Sequence, residues 1–147
     1  MKAAISLLVV VCVFRAAGPG IRTQFVGGTV PVPPKSDLRL DFTGPEALFF
    51  RTGKTETRVS YSSINTLEYG QNVSRRYAAA LLVSPLLLLS KSRKHFVTIG
   101  YTDPEGRQQA LVLRVDKGDI RSVLASLEAR TGRRVENLDD EARKGTK

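Results

Sequence analysis

The sequence predicts a mainly β domain of antiparallel strands closed by one C-terminal amphipathic helix. Short stretches alternate apolar and polar residues and are separated by Gly- and Pro-containing turns, the period-2 signature of half-buried strands. Near the C-terminus, Ile120, Val123, Leu124 and Leu127 follow i, i+3, i+4, i+7 spacing, which puts them on one helical face. A run of 13 residues, 77–89, fits neither pattern: it is almost wholly apolar and interrupts the strand series. A length of 147 residues suits one domain.

The strands are justified in order. Residues 23–30 form a first strand whose Gly27-Gly28 pair marks a bulge or sharp bend. Pro31-Val32-Pro33-Pro34 is a stiff extended break. Leu38-Arg39-Leu40-Asp41-Phe42 alternates cleanly. Gly44-Pro45 turns the chain into 47–51. Thr52-Gly53-Lys54 turns it again into 55–61, where Thr57, Val59 and Tyr61 share a face. Ile64, Leu67 and Tyr69 anchor a fifth strand that ends at Gly70. After the apolar run, Phe96, Val97 and Ile99 supply a sixth strand over 95–101. Asp103-Pro104-Glu105-Gly106 is a tight turn, with Pro and Gly where their backbone preferences fit. The answering strand, 108–115, carries Ala110, Val112 and Arg114 on one face and Leu111, Leu113 and Val115 on the other.

Asp116 is expected to cap the helix, with Asp119 three residues on in the manner of a capping box. Thr131-Gly132 stops it, and Arg130 suits the negative helix end. Residues 136–147 read as a mobile polar tail, leaving 21–135 as the domain.

Residues 1–20 read as a signal peptide. Lys2 starts a largely apolar run over 3–14, and Ala16, Ala17, Gly18 and Gly20 surround the cut. Arg15 in the −3 position of a cut after Ala17 leaves an uncleaved N-terminal anchor as the alternative. The run is too short for a spanning helix, which needs about 20 residues. Cys12 is the only cysteine and lies inside this leader. A lipoprotein signal needs a small residue before the cysteine, and Val11 stands there. The chain is strongly basic, with a net charge of +9 and a pI near 10.1. Lys2 and Arg15 fall in the leader, so the rest still holds 21 basic against 14 acidic residues. Such an excess favours anionic partners.

Two stretches, Val59-Ser60-Tyr61-Ser62-Ser63-Ile64-Asn65-Thr66-Leu67-Glu68-Tyr69-Gly70 and Leu124-Ala125-Ser126-Leu127-Glu128-Ala129-Arg130-Thr131-Gly132, resemble small exported bacterial proteins of unknown function. Seven strands followed by one helix is similar in order to the pleckstrin-homology-like barrel. The resemblance covers roughly residues 25–135. It implies a barrel of two near-orthogonal sheets with the helix plugging one end. Lipid-binding members carry basic residues between the first two strands. Here that loop holds only Lys35, so no phosphoinositide site is carried over.

The apolar run carries the functional expectation. Pro85 divides it into two short pieces. Tyr77, Leu81, Leu82, Val83, Leu86, Leu87, Leu88 and Leu89 are the candidate insertion residues. Arg75, Arg76, Lys91, Arg93 and Lys94 flank them as candidate contacts to anionic headgroups. Burying about ten such side chains at roughly 1.5 kcal/mol each outweighs the few kcal/mol from surface cations. The expectation is a non-enzymatic, exported module, peripheral to the membrane of the cell envelope or periplasm, or secreted if the run does not bind lipid. Alternatives are a protein-interaction or self-association surface (a partner or a homo-oligomer), a loop folded back onto the barrel, and, more weakly, an apolar ligand inside the barrel.

Other motifs carry no chemistry. Gly53-Lys54-Thr55 lacks the first glycine of a phosphate loop, because Leu48 stands there. Asn72-Val73-Ser74 matches a glycosylation sequon, which matters only in a eukaryotic secretory route. His95, the only histidine, is expected to be exposed, without a nucleophile or further ligands beside it. Asp103, Glu105, Asp139, Asp140 and Glu141 lie in a turn or the tail, so no catalytic residue, metal or cofactor is expected. Nucleic acid is not an expected partner: no aromatic residues are interleaved with the cations. Of Phe49 and Phe50, one ring is expected to face outward.

Overall fold

The computed structural model describes residues 20–71 and 94–138. They form β1 (Ile21–Gly28), β2 (Asp37–Asp41), β3 (Ala47–Thr52), β4 (Thr55–Ser60), a 3-10 turn (Tyr61–Ser63), β5 (Ile64–Gly70), β6 (His95–Thr102), β7 (Gln108–Val115), α1 (Ile120–Thr131) and β8 (Glu136–Asn137). The fold is mainly β with one helix near the C-terminus. The strands make a single open sheet in the order β4-β3-β2-β1-β7-β6-β5-β8, antiparallel except for β8 on β5. The sheet thus has eight strands where seven were expected.

A flat sheet cannot accommodate this order. β4 and β5 stand six positions apart, about 29 Å at the usual strand spacing. Yet only three residues separate Ser60 from Ile64, and that link reaches about 14 Å at most. The sheet therefore curls until the two strands approach. Its inward face becomes one core, to which all seven long strands contribute: Phe25, Leu40, Leu48, Val59, Ile64, Val97 and Leu113 among others. Tyr61 N–H donates to the Glu46 carbonyl at 3.0 Å, which carries the β3–β4 pairing to the start of the link. α1 adds Ile120, Val123 and Leu127 to the same core, and Leu124 packs at its margin.

Local chemistry explains most boundaries. The ladder slips between Phe25 and Gly27, which leaves Val26 as the extra residue of the expected bulge. At Gly28 the backbones close in so tightly that a Cβ would stand 2.3 Å from the Ala110 carbonyl oxygen. In the β6–β7 turn, Asp103 accepts from the Arg107 N–H at 2.8 Å, and Gly106 adopts φ 80°. Gly132, at φ 69°, ends α1 and donates its N–H to the Glu128 carbonyl.

Three expectations change. The helix N-cap is Asp119, without a side-chain capping bond, and not Asp116. The Asp116 backbone carbonyl instead accepts the N–H groups of Asp119 and Ile120 at 3.0 and 3.1 Å. Gly118 sits in that turn, and glycine inside a helix costs about 1 kcal/mol, so the helix starts after it. Second, the tail expected from Glu136 begins with β8: Leu138 N–H reaches the Tyr69 carbonyl at 2.9 Å, because the edge of β5 has ladder groups to satisfy. Third, His95 is half-buried rather than exposed, for a reason given below.

Because Leu127 is fully buried, Leu127→Ala should lower unfolding free energy by about 2–5 kcal/mol in urea titrations. Gly28→Ala should destabilise as well, whereas Gly118→Ala, with open space around it, should be near neutral.

Candidate anion-binding cleft

Arginine occupies the outward slot of the alternation in five strands: Arg58 on β4 pairs with Glu46, and Arg22 on β1, Arg39 on β2, Arg51 on β3 and Arg114 on β7 lie together. The ladder aligns them. Arg22 pairs with Arg39, and Arg39 pairs with Arg51, so three guanidinium side chains form one cross-strand row. Arg114 stands opposite Gln24, one step along β1 on the same face. These residues line a cleft of about 630 Å³, together with Thr23, Gln24, Asp37, Leu38, Gly53 and Asp116.

Like charges directly opposite one another weaken a sheet. Part of that repulsion is offset. Arg51 bonds Glu56 across the β3–β4 hairpin and lies 3.5 Å from Asp41. Burial pushes the Asp41 carboxyl up, but bonds from the Thr43 hydroxyl at 2.6 Å and N–H at 2.9 Å, aided by Arg51, outweigh it and hold the group below its usual range. Glu56 raises Arg51 further, so its charge is permanent. Arg22 and Arg114 make no ion pair among the described residues. Arg22 is exposed, while Arg39 and Arg114 are half-buried. All four basic groups are arginine, whose planar fork matches phosphate oxygens in pairs. Asp37 and Asp116, both exposed, put two carboxylates at the rim, which favours a compact anion held among the guanidinium groups over a uniformly charged sheet.

Of the residues that the sequence pointed to, only Lys94 falls in the described part, half-buried just before β6. Arg75, Arg76, Lys91 and Arg93 lie outside the described residues, as do Tyr77, Leu81, Leu82, Val83, Leu86, Leu87, Leu88 and Leu89, the leader 1–19 and the tail from 139. The arginine row escaped sequence reading because its members are up to 92 positions apart and each looks like an ordinary polar slot in a strand. The usable signal was that the outward slot of successive strands repeatedly holds arginine. Phe49 is the outward ring of its pair, half-buried, while Phe50 is in the core.

His95 stacks on Tyr69, with ring centroids 5.9 Å apart and planes 11° apart, and its Nδ1 lies 2.7 Å from the Tyr69 Oη. That packing explains its partial burial. Burial, with Lys117 nearby, pushes its pKa down from 6.5. Among the described residues, no helix is long and apolar enough to cross a membrane. No protein-family model matches the chain, and no curated protein matches it.

The depressed His95 pKa gives a signed pH dependence. Below 6.5 the unfolded chain binds a proton that the folded one resists, so stability is full at neutral pH and falls as pH drops through the folded pKa. Thermal melts at pH 7.5, 6.5 and 5.5 should show that fall, and His95→Gln should reduce it. Equal slopes in the two proteins would assign the effect to other groups.

Proposed function

We propose that this chain is a non-enzymatic, exported binding module of pleckstrin-homology-like architecture that docks on an anionic membrane surface. The strand order β4-β3-β2-β1-β7-β6-β5, the short link from β4 to β5 and a C-terminal helix seated in the core all support that architecture. Export follows from the leader-like residues 1–20.

The row Arg22–Arg39–Arg51, joined by Arg114, carries the docking reading. It collects cationic, fork-shaped donors on one outward surface at a cost in sheet stability, and an anion offsets that cost. A lipid phosphate is the favoured occupant because the net charge of +9 also attracts the protein to a negative surface. An apolar ligand inside the sheet is disfavoured, since Leu40, Leu48, Ile64, Ile99, Leu111 and Leu113 are completely covered by their neighbours.

Co-sedimentation with phosphatidylglycerol vesicles tests the reading, with phosphatidylcholine vesicles as control. Each membrane-facing cation contributes about 1 kcal/mol. Arg22→Gln and Arg114→Gln should therefore each weaken binding about fivefold, and together about 30-fold, with unchanged circular dichroism. Added salt should weaken it too. Unchanged binding by the double variant, or equal binding to phosphatidylcholine, would remove the cleft from this role. Binding of pyrophosphate without vesicle binding would reassign the ligand to a soluble phosphate.

A further inference from the structure

The sheet ends differently at its two sides. Beyond β5 lies β8, and Leu138 donates its N–H to the Tyr69 carbonyl at 2.9 Å. At the other side, β4 pairs with β3 alone among the described residues. Edge strands are ordinarily blunted by proline, by a bulge or by a covering segment. β4 contains no proline, and its register with β3 runs unbroken from Thr52 opposite Thr55 to Ala47 opposite Ser60.

The hairpin fixes which backbone groups of β4 point away from β3. Gly53 and Lys54 form a two-residue turn, with Gly53 at φ 58°, which makes Thr52 and Thr55 a hydrogen-bonded pair. Alternation then directs the N–H and C=O of Thr55, Thr57 and Val59 toward β3, and those of Glu56, Arg58 and Ser60 outward. Tyr61 keeps the same phase, since its N–H reaches the Glu46 carbonyl. The Ser63 hydroxyl donates to the Ser60 carbonyl at 2.8 Å. Glu56 and Arg58 each keep an outward N–H and C=O that bond nothing among the described residues. Their side chains are 45% and 61% exposed, and Arg58 lies a loose 3.7 Å from Glu46.

We propose that this edge is a self-association surface, on which β4 of a second copy pairs antiparallel about a two-fold axis through Thr57. Charge selects both the occupant and the register. With the axis at Glu56, two glutamates oppose each other; with the axis at Arg58, two arginines do, and like charges directly opposite are destabilising. With the axis at Thr57, Glu56 of each copy lies opposite Arg58 of the other. These are also the residues whose backbone groups point outward, so every free N–H and C=O of Glu56 and Arg58 finds a partner. The interface is isologous, with the same patch on both sides. Glu56 already accepts from Arg51, and its carboxylate has a second oxygen for Arg58 of the other copy. The link to β5 leaves after Ser60, beyond the paired segment. A single six-residue edge makes a small interface, so the dimer depends on concentration. Pairing of this kind continues the sheet and leaves both arginine rows on one side, where a single anionic surface can meet the two together. The inference does not rest on the docking reading, and it is tested without lipid.

Sedimentation equilibrium of the full chain up to about 1 mM should show a reversible dimer. Glu56→Arg and Arg58→Glu should each raise its dissociation constant about tenfold, because both contacts between the copies turn repulsive. An equimolar mixture of the two variants should associate again, since a basic edge then meets an acidic one. In a Cys12→Ser background, Thr57→Cys should give a disulfide-linked dimer on mild oxidation. Thr55→Cys should not, because its two copies stand about 14 Å apart in this register. A monomer throughout the range, an association that neither reversal weakens, or a mixture no tighter than its separate components would overturn the inference. Equal crosslinking at positions 55 and 57 would overturn it as well.

Discussion

The turn Tyr61–Ser63 joins β4, at one edge of the sheet, to β5, six strand positions away. A link that short cannot span a flat sheet, so the strands must bend around a common interior. The remaining architecture follows from that bend. Inward residues of strands far apart in the ladder become neighbours, as with Leu48 and Val59 on one arm and Ile64 and Ile99 on the other. The helix then finds its place against the same interior, with Val123 and Leu127 fully covered. The Tyr61 hydroxyl is buried, and the pKa of the group rises for that reason.

The outward side of the sheet has two characters. Around β1, β2 and β3 it is cationic, with the row Arg22–Arg39–Arg51. Around β6 and β7 it is apolar and covered, with Phe96 and Val112. Arg114 belongs to both regions, since it stands between Gln24 on β1 and Phe96 on β6. The cationic part is held by neighbouring acids rather than by packing. Asp41 stays ionised through Thr43 and Arg51, and Glu56 fixes the Arg51 head, which leaves Arg22 and Arg114 as the groups with no ion pair among the described residues. The row thus divides into charges that are anchored by acids and charges that are not.

Much of the framework was legible in the residues. Alternation located seven strands to within one or two positions, because a half-buried strand must place apolar side chains on every second residue. Gly27-Gly28 announced the bulge, Asp103 to Gly106 the tight turn, and Gly132 the helix stop, since each depends on local backbone preference. Misreadings came where a long-range contact outweighed the local signal. β8 exists because the open edge of β5 offers partners to Glu136 and Asn137. His95 is drawn inward by Tyr69, 26 positions earlier. The capping residue shifted because a backbone carbonyl at Asp116 replaced the carboxylate that was expected to act.

Local order along the chain thus defined strands, turns, one helix and an apolar run of conspicuous composition. It did not define the surfaces. A cluster of contiguous cations around the run was visible at once, whereas four arginines on four strands were not, because the ladder register alone brings them together. The same holds for the second apolar face: the alternation puts Ala110 and Val112 on one side of their strand with Arg114, but only pairing sets them beside Val26, Phe96 and Thr98. Periodicity is a property of near neighbours and survives in one dimension, while adjacency across strands is created only when the strands pair in register.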